Sequence, residues 1–372
     1  MPQPDFAATQ ATPPATPGVP GATGTPAAPA VPAANLRPQL LELRHISRYF
    51  QVRQGLLGKT RQLWAVADVS LDLAPGETLG LVGESGCGKS TLAKIAAGLL
   101  PPSSGEVRLD GAPLYAAANS ARAARPSVQM VFQDPFSSLN PRLAIGRSIA
   151  EPLDIEGVLS PDQRQTRVME MLQLVGLLPE HASRYPHEFS GGQRQRAVVA
   201  RALINRPKLV ICDEPVSSLD ASVQAQVLNL LKNLQEMFSP AYLFISHDLS
   251  VVGHMSDRIA VMYLGRIVEL SSAQGLFDAP LHPYTQALLA AIPGAGAGAH
   301  TDAGGPGPAG NGAHPAHGNL VKGDPASPLN PPPGCAFHPR CPRAMPCCRV
   351  HRPDLLPVDG RLTACWLYAN PK

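Results

Sequence analysis

Aromatic residues make up only 5% of the 372-residue chain, and charged residues only 16%, with a net charge of +3. No basic stripe of the kind that holds nucleic acid is present, so no nucleic acid is expected among the partners. No run reaches the roughly 18 uninterrupted apolar residues that a membrane-spanning helix needs. The N-terminus has no basic stretch followed by an apolar one, so it does not read as a secretory signal. Sustained heptads are missing, which argues against a long coiled coil. These absences leave a cytosolic protein whose attachment to a membrane must come through a partner. In that compartment its seven cysteines stay reduced or bind metal. The 44% hydrophobic content is enough for a core of ordinary size, in one large domain or two smaller ones.

What is there is organised around Gly83-Glu84-Ser85-Gly86-Cys87-Gly88-Lys89-Ser90-Thr91. An apolar run, Thr78 to Val82, precedes it as a buried strand. An Ala/Leu-rich run, Leu92 to Leu100, follows as a helix. Strand, glycine loop and helix in that order are the geometry of a P-loop. The glycines let successive backbone N–H groups point at phosphate oxygens, and the helix N-terminus adds donors and partial positive charge. Lys89 suits the β- and γ-phosphates, and the Ser90 hydroxyl suits Mg2+.

Taken in order, residues 1–38 are Ala, Pro, Thr and Gly with almost no charge. Such a segment buries too little to offset ordering and is expected to be a disordered spacer. Leu41 to Ile46 alternates as a half-buried strand does, and a Gly/Lys-rich excursion runs on to Gln62. Trp64 to Leu73 reads as a second strand region. Phe50 is the candidate to stack on an adenine face, with Tyr49 and Trp64 as rivals and a plain core role as the alternative. Val128 to Phe132 reads as a short strand ending at Gln133, with a Pro/Ser/Asn-rich loop from Asp134 to Pro141. Arg147 to Leu178 is rich in helix formers and breaks at Gly157 to Pro161. Ser190 sits at an N-cap position before Gly191, Gly192 and Gln193, opening a helix to Ile204. Leu209 to Cys212 is a continuous apolar run, as in a strand covered on both faces. It ends in Asp213-Glu214, two acids that are costly there unless they serve a cation or a reactant. Ala221 to Phe238 reads as a helix after Asp220. Tyr242 to Ile245 is another buried strand, leading into Ser246-His247-Asp248. A histidine at the carboxyl end of such a strand is well placed for chemistry.

Together these pieces resemble the ATP-binding subunit of an ABC transporter, from about Leu40 to Pro293 and again in the tail. In that resemblance Gly83 to Thr91 is the Walker A loop and Gln133 the Q-loop glutamine. Phe189-Ser190-Gly191-Gly192-Gln193 is the signature, with Phe where the family usually has Leu. Leu209 to Glu214 is Walker B, Ser217 to Asp220 the D-loop, and His247 the switch histidine. The segments Phe132 to Arg142, Met262 to Glu269 and His282 to Leu289 look like the oligopeptide/dipeptide importer group, in its F-type subunit. The resemblance implies an α/β P-loop NTPase fold with a RecA-like core, an antiparallel β subdomain and a helical subdomain near residues 134–205, all within 39–293. It implies ATP hydrolysis that drives peptide import from the cytoplasmic face of the membrane. Glu214 would polarise the attacking water, His247 would touch the γ-phosphate, and Ser90, Gln133 and Asp213 would hold Mg2+. Ser190 to Gln193 and Asp220 would contact the ATP of a second ATPase subunit, a D-type partner or else a second copy of this chain. Two membrane permease subunits and an external substrate-binding protein complete the expected assembly. A soluble ABC ATPase of translation or repair, an exporter ATPase, and an importer of another solute such as nickel are the alternatives.

Residues 294–330 read as a Gly/Pro/Ala-rich linker in which His300, His314 and His317 are compositional. The Cys-rich segment 331–372 carries Cys335, Cys341, Cys347, Cys348 and Cys365. Disulfides are unexpected in the cytosol, and zinc is disfavoured because no Cys-x-x-Cys knuckle is present. The segment resembles the family tail in which four thiolates hold a [4Fe–4S] cluster. That resemblance, with Pro353 five places on, selects Cys335, Cys341, Cys348 and Cys365 and leaves Cys347 spare.

Overall fold

The computed structural model describes residues 38–53, 60–115, 127–292 and 326–369. The expected spacer before Pro38, and the stretch 294–318 with its three histidines, lie outside the described residues.

Two sheets carry the fold. The smaller is antiparallel, in the order β2-β1-β4-β5, from β1 (Leu41–Arg53), β2 (Thr60–Leu73), β4 (Ser104–Leu109) and β5 (Ala112–Pro113). The larger sheet runs β11-β12-β10-β9-β3-β8-β7-β6. Its centre is parallel: β9 (Arg258–Tyr263), β3 (Thr78–Val82), β8 (Ala241–Ile245), β7 (Leu209–Asp213) and β6 (Val128–Val131). β10 (Arg266–Ser272) turns back against β9, and the tail hairpin β11 (Leu356–Val358) and β12 (Arg361–Thr363) extends that edge.

Parallel strands need both faces covered, and their sequences show it. In β7, Val210 and Cys212 join one apolar cluster with the helices Ile145–Glu156, Gly191–Leu203 and Ala221–Phe238. Leu209 and Ile211 join the opposite cluster, with the helix Lys89–Ala96 and strands β1, β2 and β4. Register then aligns the carboxyl ends of the strands. Leu81 pairs with Ile245, Ile245 with Asp213, and Cys212 with Val131. Every residue just past those ends therefore emerges along one edge, where α/β sheets bind ligands.

Three local expectations are corrected. The excursion after Phe50 is strand on both sides, since β1 continues to Arg53 and pairs it with Thr60. The segment after Asp134 holds a helical turn, Pro135–Ser138, because the Asp134 carboxylate caps the N–H groups of Phe136 and Ser137. The loop helix begins at Lys89 and stops at Ala96 rather than running to Leu100; Gly98, at φ 73°, turns the chain away.

Candidate functional site

The loop from Gly83 to Lys89 is closed by contacts that exclude side chains. A Cβ on Gly88 would lie 2.0 Å from the Ala65 carbonyl, and one on Gly83 would lie 2.2 Å from the Met262 carbonyl. Gly88 also has φ 109°, which disfavours any L residue. The Gly265 N–H donates to the Cys87 carbonyl at 2.8 Å and fixes the loop from the β9–β10 turn. Lys89 is buried, and its ammonium donates to the carbonyls of Gly83 (2.7 Å) and Glu84 (2.9 Å). Cys87 lies inside, its thiol pKa raised chiefly by burial. Ser85, Gly86 and Ser90 are exposed on the outer side, with Thr91 half-buried.

Facing the loop are the ends of β6, β7 and β8. Ser90 donates from its hydroxyl to Asp213 at 3.0 Å. Burial raises the Asp213 pKa; the Ser90 hydrogen bond opposes that shift, and the neighbouring Glu214 charge adds to it. Glu214 leaves the strand at φ 51°, a left-handed conformation that costs a non-glycine residue about 1–3 kcal/mol. Its N–H still pairs with the Ile245 carbonyl at 2.9 Å. The Glu214 carboxylate receives the Gln133 amide at 3.0 Å and stands 3.4 Å from His247 Nδ1. Five predicted residues are thus joined in two groups, Ser90–Asp213 and Gln133–Glu214–His247, with adjacent residues of β7 linking them.

Ser190 caps the helix Gly191–Leu203 in a reciprocal capping box with Gln193, as the N-cap position implied. Asp220 caps Ala221–Phe238 through the Val223 N–H. Among the described residues, no hydrogen bond or ion pair joins Ser190–Gln193 or Asp220 to Gly83–Thr91. Phe189 is buried and packs edge-on to His181, so the larger side chain is accommodated. Phe50 is half-buried on β1 beneath the Arg48 guanidinium, 5.0 Å from the ring centroid. Its rivals Tyr49 and Trp64 pack on each other at 5.3 Å.

Sequence reasoning missed how the loop is held from the far end of the chain. The Glu84 carboxylate is gripped by Arg340, and the Glu84 N–H donates to the Tyr284 hydroxyl at 2.9 Å. It also missed why Glu269 and His282 stand where they do. Fully buried Glu269 accepts the N–H groups of Leu281 and His282, both at 2.8 Å, and His282 caps the helix Pro283–Ala290. In the tail, burial pushes the Cys335 and Cys365 thiols up to about 11 and raises Cys341 and Cys348 as well. Among the described residues, no three His, Cys, Asp or Glu side chains form a ready metal-holding group, and no helix is long and apolar enough to cross a membrane.

Comparison with known proteins agrees with this geometry. Residues 66–217 match the ABC transporter family, and residues 268–348 match the C-terminal region of oligopeptide/dipeptide transporters. The oligopeptide transport ATP-binding protein AppF of Bacillus subtilis is 47% identical over 334 residues, which cover 89% of this chain and 98% of AppF. The dipeptide transport ATP-binding protein DppF of Escherichia coli is 44% identical, over 90% of this chain and 96% of its own length. Among solved structures, the dimeric ATP-binding cassette MJ0796 bound to ADP and Pi superposes with a TM-score of 0.56 at 27% identity. That match spans 63% of this chain and 98% of the cassette. The chain belongs to the ATP-binding subunits of ABC transporters, the ATPases of those systems, in the oligopeptide/dipeptide group.

Proposed function

We propose that this chain hydrolyses ATP to power import of dipeptides, oligopeptides or a related solute, acting on the cytoplasmic face of the membrane. The observation that carries the reading is the meeting of Lys89, Ser90–Asp213 and Gln133–Glu214–His247 along one sheet edge. Phosphoryl transfer needs positioning and charge stabilisation above all. Lys89 and the amides from Gly83 to Thr91 hold the phosphates, and Phe50 stacks on the adenine. Glu214 accepts a proton from the attacking water, and His247, beside it, orients that water against the γ-phosphate. The oxygens of Ser90, Gln133 and Asp213 form a hard donor set that would hold Mg2+, and the ion would supply positive charge at the phosphates.

Among the described residues, Ser190 to Gln193 and Asp220 make no hydrogen bond or ion pair with their own chain's loop, which supports their serving the ATP of a second ATPase subunit, a D-type partner. The remaining partners are two membrane permease subunits and a substrate-binding protein. Closure of the ATPase pair on ATP then shifts the permeases between two states by differential affinity. A tagged chain purified from membranes should bring two multi-span proteins with it, and peptide-loaded binding protein should raise the ATPase rate of that complex. A chain recovered without membrane partners would overturn the proposed assembly.

We also propose a [4Fe–4S] cluster on Cys335, Cys341, Cys348 and Cys365. Burial and the neighbouring Cys335, Cys341 and Cys348 raise the Cys365 thiol pKa, and the Cys335 N–H donates to the Cys348 carbonyl at 2.8 Å. Four thiols match the number of ligands a [4Fe–4S] cluster takes. Anaerobically purified protein should carry about four irons with broad visible absorbance. Cys348→Ser should bleach it and Cys347→Ser should not; one tightly held zinc in colourless protein would overturn the assignment.

A further inference from the structure

Glu84 is the second residue of the loop Gly83–Thr91, and its carboxylate is a liability there. A negative charge at the rim of a triphosphate cradle repels the ligand unless something neutralises it. Arg340, 256 positions away in the Cys-rich tail, donates to both Glu84 oxygens, at 3.0 and 2.9 Å. This two-pronged geometry is the strongest arrangement open to the pair. The side chains are only 11% (Arg340) and 23% (Glu84) exposed, so the contact is better shielded than an ordinary surface ion pair. The Glu84 carboxylate, with Tyr263 as a further polar neighbour, holds the Arg340 pKa above its usual value.

The rest of Glu84 is held as firmly. Its N–H donates to the Tyr284 hydroxyl at 2.9 Å, and its carbonyl accepts from Lys89 at 2.9 Å. The segment that presents Arg340 is itself built into the core. Phe337 is buried, its ring 5.4 Å from both Tyr263 and Tyr284, which lie 4.7 Å from each other. Backbone bonds from His338 to Cys335, Arg340 to Phe337 and Cys341 to His338 wind this stretch into tight turns. Strand β12 ties the later tail to β10. The guanidinium is therefore delivered by an anchored element.

We propose that Arg340 is a positioning residue of the ATP site: the C-terminal segment neutralises and orients Glu84, so that the loop accepts a triphosphate. This rests on the ATPase reading above and adds to it an in-chain contribution from the tail. The same link makes ATP affinity responsive to any change that displaces the turn from Cys335 to Cys341.

The test is calorimetric titration of the full chain with ATP and Mg2+. Arg340→Ala should raise the ATP Kd about tenfold, the effect of losing a charged hydrogen-bond pair. The steady-state KM should rise with it, while kcat at saturating ATP changes less than about twofold. In a Glu84→Gln background, whatever its own affinity, adding Arg340→Ala should change Kd less than about twofold, because no carboxylate is left to neutralise. Should Arg340→Ala not fold, Arg340→Lys keeps the charge and loses the fork; it should weaken binding about threefold, again only when Glu84 is present. An unchanged Kd in folded Arg340 variants, or equal losses with and without the Glu84 carboxylate, would overturn the inference. Wild-type protein that fails to bind ATP would instead overturn the ATPase reading itself.

Discussion

The Arg194 guanidinium lies 3.8 Å from the centroid of the Phe136 ring, close enough for a strong cation–π contact. It joins the helical turn after Gln133 to the helix that Ser190 caps. Arg194 is held in turn by the Pro186 carbonyl at 2.6 Å. Phe136 is nevertheless 61% exposed. Leu139, three residues further on, is 2% exposed and belongs to the core. Of these two apolar side chains after Gln133, only Phe136 is therefore exposed.

Phe136→Asp should leave ATP binding and the ATPase of the isolated chain intact while transport falls by about tenfold or more, as when an interface anchor is removed. Solute uptake by reconstituted vesicles measures this against ATP consumed. Uptake at the wild-type rate would remove Phe136 from the coupling surface.

Glu214 and Lys89 separate turnover from binding. Glu214→Gln keeps the shape and loses the proton acceptor, so turnover should drop by more than ~10²-fold with ATP affinity retained. Lys89→Ala removes a charged phosphate contact and should weaken ATP binding itself. Single-turnover rates and equilibrium titration read the two effects. A Glu214→Gln enzyme with wild-type turnover, or a Lys89→Ala protein with unchanged affinity, would sink the corresponding role.

The parts of this architecture that can be read from sequence are those set by local pattern. The strand Thr78–Val82 and the helix Ala221–Phe238 have the bounds expected for them. The apolar run, the cap Asp220 and the Ser239-Pro240 stop lie beside the residues they govern. The Gln133–Glu214–His247 grouping was legible once the residues were assigned to carboxyl ends of parallel strands, since register then brings them together. The burial of Leu139 left no local signal, because it depends on helices packed from elsewhere and not on its Pro- and Ser-rich neighbours. The Arg340–Glu84 pair left no signal: two charged residues 256 positions apart share no period and no motif.

His282 builds an acid sensitivity into the fold. Burial holds its pKa down at about 4 against the usual 6.5, and its Nδ1 accepts the Tyr284 N–H at 3.0 Å. Between those two values the unfolded chain takes up a proton that the folded one refuses. Stability therefore rises with pH across the window, and falls as pH drops from 6.5 toward 4. His282→Asn keeps an acceptor for the Tyr284 N–H and cannot titrate there. Its melting temperature should fall less than that of wild type over the same acidification. Parallel melting curves across the window would show that His282 does not drive the loss.

Asp213 is the opposite case, a carboxyl group whose charged form is disfavoured by the fold. Its pKa is raised chiefly by burial; the Ser90 hydrogen bond offsets part of this, and the Glu214 charge adds to it. For an acid with a raised folded pKa, stability is greatest below the unfolded value and declines as pH climbs through the folded one. At neutral pH a charge on Asp213 is thus destabilising, a cost that the proposed Mg2+ role would offset. Asp213→Asn keeps the size and a partner for the Ser90 hydroxyl while dropping the charge. In nucleotide-free buffer at pH 7 it should melt about 2–4 °C higher than wild type. With ATP and Mg2+ the order should reverse, because the wild-type protein gains more from ligand binding than the variant does. Thermal melts with and without ATP and Mg2+ decide both halves. A variant that melts lower without nucleotide would refute the burial argument, and an equal gain on adding ATP and Mg2+ would take Asp213 out of the cation site.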